Sequence, residues 1–154
     1  MRFFLVDCIT QLKRFAHADG IKCISLADDC FEHHFPGQPV YPGSMLIETM
    51  AQLGGALMEI SLRKEGEATP RCVLSKVEAK FRDFARPGDR LALRAEVISH
   101  HPDSVRLRAS VIRDERCLAE AELLYVILRI DDPALEASRC EYLSILTRAT
   151  RFED

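Results

Sequence analysis

Phe31-Glu32-His33-His34-Phe35-Pro36-Gly37-Gln38-Pro39-Val40-Tyr41-Pro42-Gly43 runs without interruption into Ser44-Met45-Leu46-Ile47-Glu48-Thr49-Met50-Ala51-Gln52. Pro36, Pro39 and Pro42 each fix φ and push the preceding residue towards extended conformations, so the first half reads as a stiff loop. Gly43 stands at a helix entrance, where the first backbone N–H groups have no intrahelical acceptor and can point at an oxygen carrying negative charge. Residues 44–62 are apolar on nearly every side, the pattern of a buried helix. Gly54-Gly55 in its middle marks a place where another element approaches closely. Glu48 falls in the first two turns among Met45, Leu46, Ile47, Met50 and Ala51, neighbours that partly desolvate it. A candidate base, an anion-binding helix start and a candidate acid therefore follow one another along a single stiff segment.

Outward from this segment the period changes. Phe3–Leu12 and Ile21–Leu26 read as a strand pair joined around Asp19-Gly20, a dipeptide that favours hairpin turns. Beyond the polar loop 64–70, Val105, Leu107, Ala109 and Val111 alternate with Arg106, Arg108 and Ser110, which is a strand with one wet face. Similar runs cover 72–83, 90–99 and 117–129, separated by Pro87-Gly88-Asp89, His101-Pro102-Asp103 and Asp114-Glu115. One buried helix with several long antiparallel strands predicts an α+β fold in which the sheet wraps the helix. Asp132-Pro133 then looks like an N-cap followed by Pro at the first helical position, opening a C-terminal helix across 133–149. On that helix Leu135, Tyr142, Leu146 and Ala149 would share a face.

Composition narrows the function classes. A chain of 154 residues with 47% hydrophobic and 29% charged content suits one domain with a single core. Residues 131–154 hold six of the 24 acids and three of the 21 Lys and Arg, leaving 18 of each sign in residues 1–130. A balanced body gives no footprint for nucleic acid or an anionic membrane. Its most apolar stretch, Met45–Ile60, contains Glu48, Gln52 and Glu59 and is too short and polar to span a bilayer. The six cysteines form no CxxC pair, and the N-terminus lacks the basic and apolar regions of an export signal, so reduced thiols and a cytoplasmic location are expected.

His34-Phe35-Pro36-Gly37-x-Pro39-x-x-Pro42-Gly43 followed by Glu48-x-Met50-Ala51-Gln52 resembles the signature of the 3-hydroxyacyl-acyl carrier protein dehydratases of the hotdog fold, including the spacing from His34 to Glu48. Phe3-Phe4-Leu5-Val6-Asp7 resembles that family's first strand, and Ala79-Lys80-Phe81-Arg82 with Pro87-Gly88-Asp89 its later strand and turn. The resemblance implies a hotdog domain over residues 1–130, with 131–154 as an extension packed on the same domain. It also implies dehydration of 3-hydroxyacyl thioesters carried on acyl carrier protein to trans-2-enoyl thioesters. The substrate would hang on a phosphopantetheine arm, and no metal or redox cofactor would be needed. Active units of the family are two-fold dimers in which the base of one subunit meets the acid of its partner, so a homodimer or a larger assembly of dimers is expected.

Carried over residue by residue, His34 is the base and Glu48 the acid. Gly43 supplies the N–H for the thioester oxygen, Gln52 can orient Glu48 from one helical turn away, and Phe81 lines the acyl tunnel. Lys80 and Arg82, on the strand face opposite Phe81, would dock the acidic carrier. The chemistry suits the residue types, since histidine titrates near neutrality and a buried carboxyl can keep a proton to give. Plainer readings exist: a loop histidine, a satisfied buried carboxylate, a core amide for Gln52, a solvated strand face for Lys80 and Arg82. A zinc site from His33, His34 and Glu48 has suitable ligand types, but adjacent histidines point apart. His33 replaces the family's usual glycine, and Gln38, Tyr41 and Ser44 depart from its usual neighbours, which admits a specialised polyene or polyketide chain beside a fatty acyl one. The tail also departs from the family; it is read as packing where a missing N-terminal helix would lie. Rival functions are a hotdog thioesterase, in which a helix carboxylate activates water, and a non-catalytic acyl-binding subunit.

Overall fold

Residues 3–154 are described by a computed structural model. Seven strands and two helices follow one another as β1 (Cys8–Lys13), β2 (His17–Cys23), α1 (Gly43–Leu62), β3 (Arg71–Phe81), β4 (Arg90–His101), β5 (Ser104–Arg113), β6 (Arg116–Leu128), α2 (Pro133–Thr147) and β7 (Arg151–Glu153). They form one sheet of order β3-β6-β5-β4-β2-β1-β7, antiparallel throughout except where β7 joins β1 in parallel. The sheet curls around α1, and this is the α+β hotdog architecture expected.

The alternation in β5 is met as read: Val105, Leu107, Ala109 and Val111 are buried against α1, while Arg106 and Arg108 reach Glu122 on the wet face. Asp114 and Glu115 both adopt positive φ, 48° and 66°, as a two-residue hairpin whose twist matches its strands requires. Gly54 is the contact point between helix and sheet. A Cβ there would lie 2.8 Å from the Tyr125 hydroxyl, which itself donates to the Ala51 carbonyl at 2.8 Å.

Three sequence expectations shift. The first hairpin turns at Arg14-Phe15-Ala16, with Phe15 at φ 57°, and Asp19-Gly20 lies within β2 instead. Gly20 serves a close approach: a Cβ would come within 3.0 Å of the Cys8 carbonyl oxygen and 3.3 Å of Leu53. Secondly, β1 begins at Cys8, not Phe3, although the Asp7 N–H still bonds to the Ile21 carbonyl at 2.9 Å. Residues 3–5 pair with a side chain instead of a strand, because the Gln52 amide receives the Leu5 N–H and donates to the Phe3 carbonyl. Thirdly, α2 ends at Thr147. Tyr142, Leu143 and Leu146 form its buried face, whereas Leu135 is half exposed and Ala149 lies outside the helix and exposed. The last turn is followed by β7, a strand that no period-two pattern announced. Asp132 does cap α2, accepting from the Ala134 and Leu135 N–H groups.

Polar contacts fasten α2 to the body. Arg139 Nε donates to the buried Glu59 carboxylate at 2.5 Å, and Glu136 accepts from the Thr69 hydroxyl and N–H at 2.7 and 3.1 Å. Tyr142 stacks on Phe4 with ring centroids 4.3 Å apart.

Candidate active site

The proline loop is stiffened by its own hydrogen bonds as well as by its rings. Phe35 and Gln38 exchange backbone bonds at 3.2 and 3.0 Å, and the Val40 N–H donates to the His34 carbonyl at 3.0 Å. Next along the chain, the Tyr41 N–H donates to the Ala85 carbonyl at 2.8 Å, which ties the loop to the segment between β3 and β4. His34 is thereby fixed. Its Nδ1 lies 2.7 Å from the Val40 carbonyl oxygen, an acceptor only, so Nδ1 carries the hydrogen and the neutral ring keeps its lone pair on Nε2.

His34 borders a cleft of about 610 Å³ together with Gly43, Leu46, Phe81 and residues 82–86. The Pro42 carbonyl accepts from the Met45 and Leu46 N–H groups, while the N–H groups of Gly43 and Ser44 have no acceptor among the described residues. Gly43, with an unpaired N–H at the positive end of a 20-residue helix, therefore borders the same cleft as His34. Phe81 covers Gly43 so closely that a Cβ there would meet its ring at 2.9 Å. Only glycine lets the ring and the helix entrance share this wall.

Glu48 is half-buried on the second turn of α1 and does not border that cleft. Its Oε1 accepts from Gln52 Nε2 at 3.0 Å. Gln52 is in turn held by the N-terminal segment and by Tyr142 of α2, whose hydroxyl is 3.4 Å from Gln52 Oε1. Within one chain, then, His34, Gly43 and Phe81 are brought together, and Glu48 and Gln52 form a second group on another side of the helix. His33 is exposed. No group of three His, Cys, Asp or Glu able to hold a metal ion occurs among the described residues, so His33, His34 and Glu48 are not assembled as a zinc site.

Lys80 and Arg82 share the outer face of the sheet edge, since Arg82 Nη2 reaches Glu120 at 2.5 Å and Glu120 is the cross-strand neighbour of Lys80. The Arg82 guanidinium is thus already paired, with Arg82 half exposed and Glu120 about one-third exposed. Arg86 borders the cleft too, its guanidinium 5.6 Å from the centre of the exposed Phe84 ring. The sequence did not single out Phe84, Ala85, Arg86 or Tyr142 as site residues. For residues 84–86 the adjacent Pro87-Gly88-Asp89 turn was the available signal, but nothing in periodicity links Ala85 to Tyr41.

Comparison with known proteins identifies the family and the fold. A family model described as the FabA-like domain matches residues 1–122. The chain is 38% identical over 130 residues to the 3-hydroxyacyl-[acyl-carrier-protein] dehydratase FabZ of a Nitratiruptor species, covering 82% of this chain and 88% of that protein. It is 40% identical over 130 residues to the protein of the same name from Sulfurimonas denitrificans, covering 82% and 87%. Among solved structures, smu.793 from Streptococcus mutans UA159 bound to acetyl CoA superposes with a TM-score of 0.65 at 13% identity, over 86% of this chain and 96% of that one. A hot-dog-like protein from Thermanaerovibrio acidaminovorans gives 0.63 at 18% identity, over 91% and 93%. At such identities the structural likeness speaks for the fold alone.

Proposed function

The chain belongs to the FabA-like family, and from that premise we infer that it is a 3-hydroxyacyl-[acyl-carrier-protein] dehydratase of fatty-acid biosynthesis. It removes water from a 3-hydroxyacyl thioester and leaves the trans-2-enoyl thioester. The substrate arrives on the phosphopantetheine arm of acyl carrier protein, and the residues assigned below act without a metal or redox cofactor. No helix of the described residues is long and apolar enough to cross a membrane; we place the enzyme in the cytoplasm.

The observation that carries the site assignment is the pairing of a free imidazole Nε2 with an unpaired helix-entrance N–H around one cleft. The Gly43 N–H, aided by the helix N-terminus, holds the thioester oxygen as negative charge grows on it, a contribution of about 3 kcal/mol for one such donor. His34 Nε2 takes the proton from C2, and the electron pair released forms the C2–C3 double bond. The C3–O bond breaks as protonated Glu48 gives its proton to the departing hydroxyl, so water leaves. Returning the proton from His34 to Glu48 resets the catalyst.

Glu48 lies outside the cleft that holds His34, and this favours a site completed by Glu48 of the partner subunit. A two-fold dimer makes two such sites. β3 is an edge of the sheet whose outer side has no strand neighbour among the described residues, and Val73 and Phe81 are exposed along it. An unpaired edge with apolar side chains is a ready pairing surface. Phe81 forms the acyl-tunnel wall at Gly43, Gln52 orients Glu48, and the exposed Lys80 and Arg82 receive the acidic carrier. Residues 1–130 and 131–154 act as one unit, a reading supported by the Arg139–Glu59 bond and the β1–β7 pairing.

Incubation with 3-hydroxyacyl-carrier protein followed by intact-mass measurement tests the activity. Loss of water from the acyl carrier is expected. Release of free carrier thiol would mean a thioesterase, and an unchanged acyl carrier would mean a binding subunit.

A further inference from the structure

Gln52 touches the N-terminal segment, Glu48 and the C-terminal extension together. An amide side chain offers two donors and two acceptor sites, and here each is used. Oε1 accepts from the Leu5 N–H at 2.8 Å and from the Tyr142 hydroxyl at 3.4 Å; Nε2 donates to the Phe3 carbonyl at 3.0 Å and to Glu48 Oε1 at 3.0 Å. Because the Leu5 N–H can only donate and the Phe3 carbonyl only accept, the amide cannot be reversed. With Nε2 donating to Oε1, a protonated Glu48 carries its hydrogen on Oε2, the oxygen left for the substrate hydroxyl.

We propose that Tyr142 of α2, outside the 1–122 family match, is a positioning residue of the dehydratase that acts through Gln52 to fix which oxygen Glu48 presents. The proposal rests on the assignment of Glu48 as the acid. Tyr142 suits this task because its ring has little freedom. It is buried, stacked on Phe4 at 4.3 Å and 18°, and faced on another side by the Arg139 guanidinium at 4.8 Å. Arg139 is itself bonded to Glu59, a buried carboxylate of α1. Burial pushes the Tyr142 phenol up to about 12, so it remains a protonated donor through the neutral range. The extension therefore closes a relay that runs from α2 through Gln52 to the carboxyl, and the body alone lacks its last member.

Tyr142→Phe in the full chain keeps the stacked ring and removes only the hydroxyl. Since the bond is long, kcat should fall about two- to tenfold with KM changed less than about twofold. In a Gln52→Ala background the same substitution should change kcat by less than about 1.5-fold, because its route to Glu48 is already cut. Wild-type kcat in Tyr142→Phe, or an equal loss in both backgrounds, overturns the proposal. The 15N-labelled side-chain amide of Gln52 gives a readout independent of turnover. Its proton signals should shift in Tyr142→Phe, and unchanged signals overturn the contact. If instead Glu48→Gln turns over like wild type, the acid assignment fails, and the amide signals still decide whether Tyr142 fixes Gln52.

Discussion

Adjacent glycines in α1 should respond to alanine with opposite signs. A Cβ on Gly54 would lie 2.8 Å from the Tyr125 hydroxyl and 3.1 Å from Leu107, both fully buried, whereas on Gly55 the nearest atoms are 3.9 and 4.0 Å away. Tyr125 cannot swing aside, because its hydroxyl is anchored on the Ala51 carbonyl and its ring is enclosed. Gly54→Ala therefore brings an overpacking cost of about 1–3 kcal/mol. Pushing the hydroxyl off Ala51 strands a buried donor and acceptor, about 1–3 kcal/mol more. Helix propensity returns about 1 kcal/mol in either variant. The net expectation is a loss of about 1–5 kcal/mol for Gly54→Ala and a gain of about 1 kcal/mol for Gly55→Ala. In a domain of this size each kcal/mol moves Tm by about 2–4 °C. Urea and thermal unfolding at one fixed protein concentration measure both, the concentration being held because association shifts apparent stability. A Gly54→Ala protein as stable as Gly55→Ala would refute the claim that Tyr125 is pinned against the helix.

His34→Ala and Glu48→Gln should each lower kcat by about 10²–10⁴-fold while leaving thermal unfolding nearly unchanged; near-full turnover by either folded variant would sink its assignment. Mixed after verified subunit exchange, the two inactive variants should recover about a quarter of wild-type activity, since about half the dimers are hybrids with one intact site of two. No recovery would favour a site built within one chain. Glu136 has its carboxyl held below the usual range, chiefly because the Thr69 hydroxyl donates to it. Its native form thus binds the proton less readily than the unfolded chain, so this stabilisation is complete above the unfolded value of about 4.3 and is lost as pH falls through the lower native one. Glu136→Gln should accordingly lose less stability than wild type between about pH 5 and 3, and identical acid profiles would count against the Thr69 bond.

How far the site could be read depends on whether its parts are joined by short chain or by folding. The proline loop and the start of α1 are contiguous, and the residues that lock His34, from its carbonyl to Val40, lie within a few positions of it. Local chemistry therefore pointed to base, helix entrance and acid. Asp19-Gly20 shows the opposite case. The dipeptide suits a hairpin turn, yet Gly20 is needed where Leu53 of α1 comes against β2, and the turn moved to Phe15. Tertiary packing outweighed turn propensity there because a side chain at residue 20 would strike a backbone carbonyl. β7 escaped notice for a similar reason: three residues are too few to show a period, and β1 supplies its hydrogen bonds.

What the sequence by itself determined is what short-range chemistry encodes: one buried helix, long alternating strands, the turns between β3 and β6, and a stiff segment carrying His34, Gly43 and Glu48 at fixed spacing. Only the tertiary structure decided which of these residues share a space. It set His34 and Gly43 around one cleft under Phe81 and put Glu48 outside it, and it brought Tyr142 onto Gln52 from 90 positions away. The physical reason is range. Rings, caps and hydrogen bonds between near neighbours fix local conformation directly, whereas the facing of distant side chains is fixed by how sheet and helix bury their apolar surfaces together.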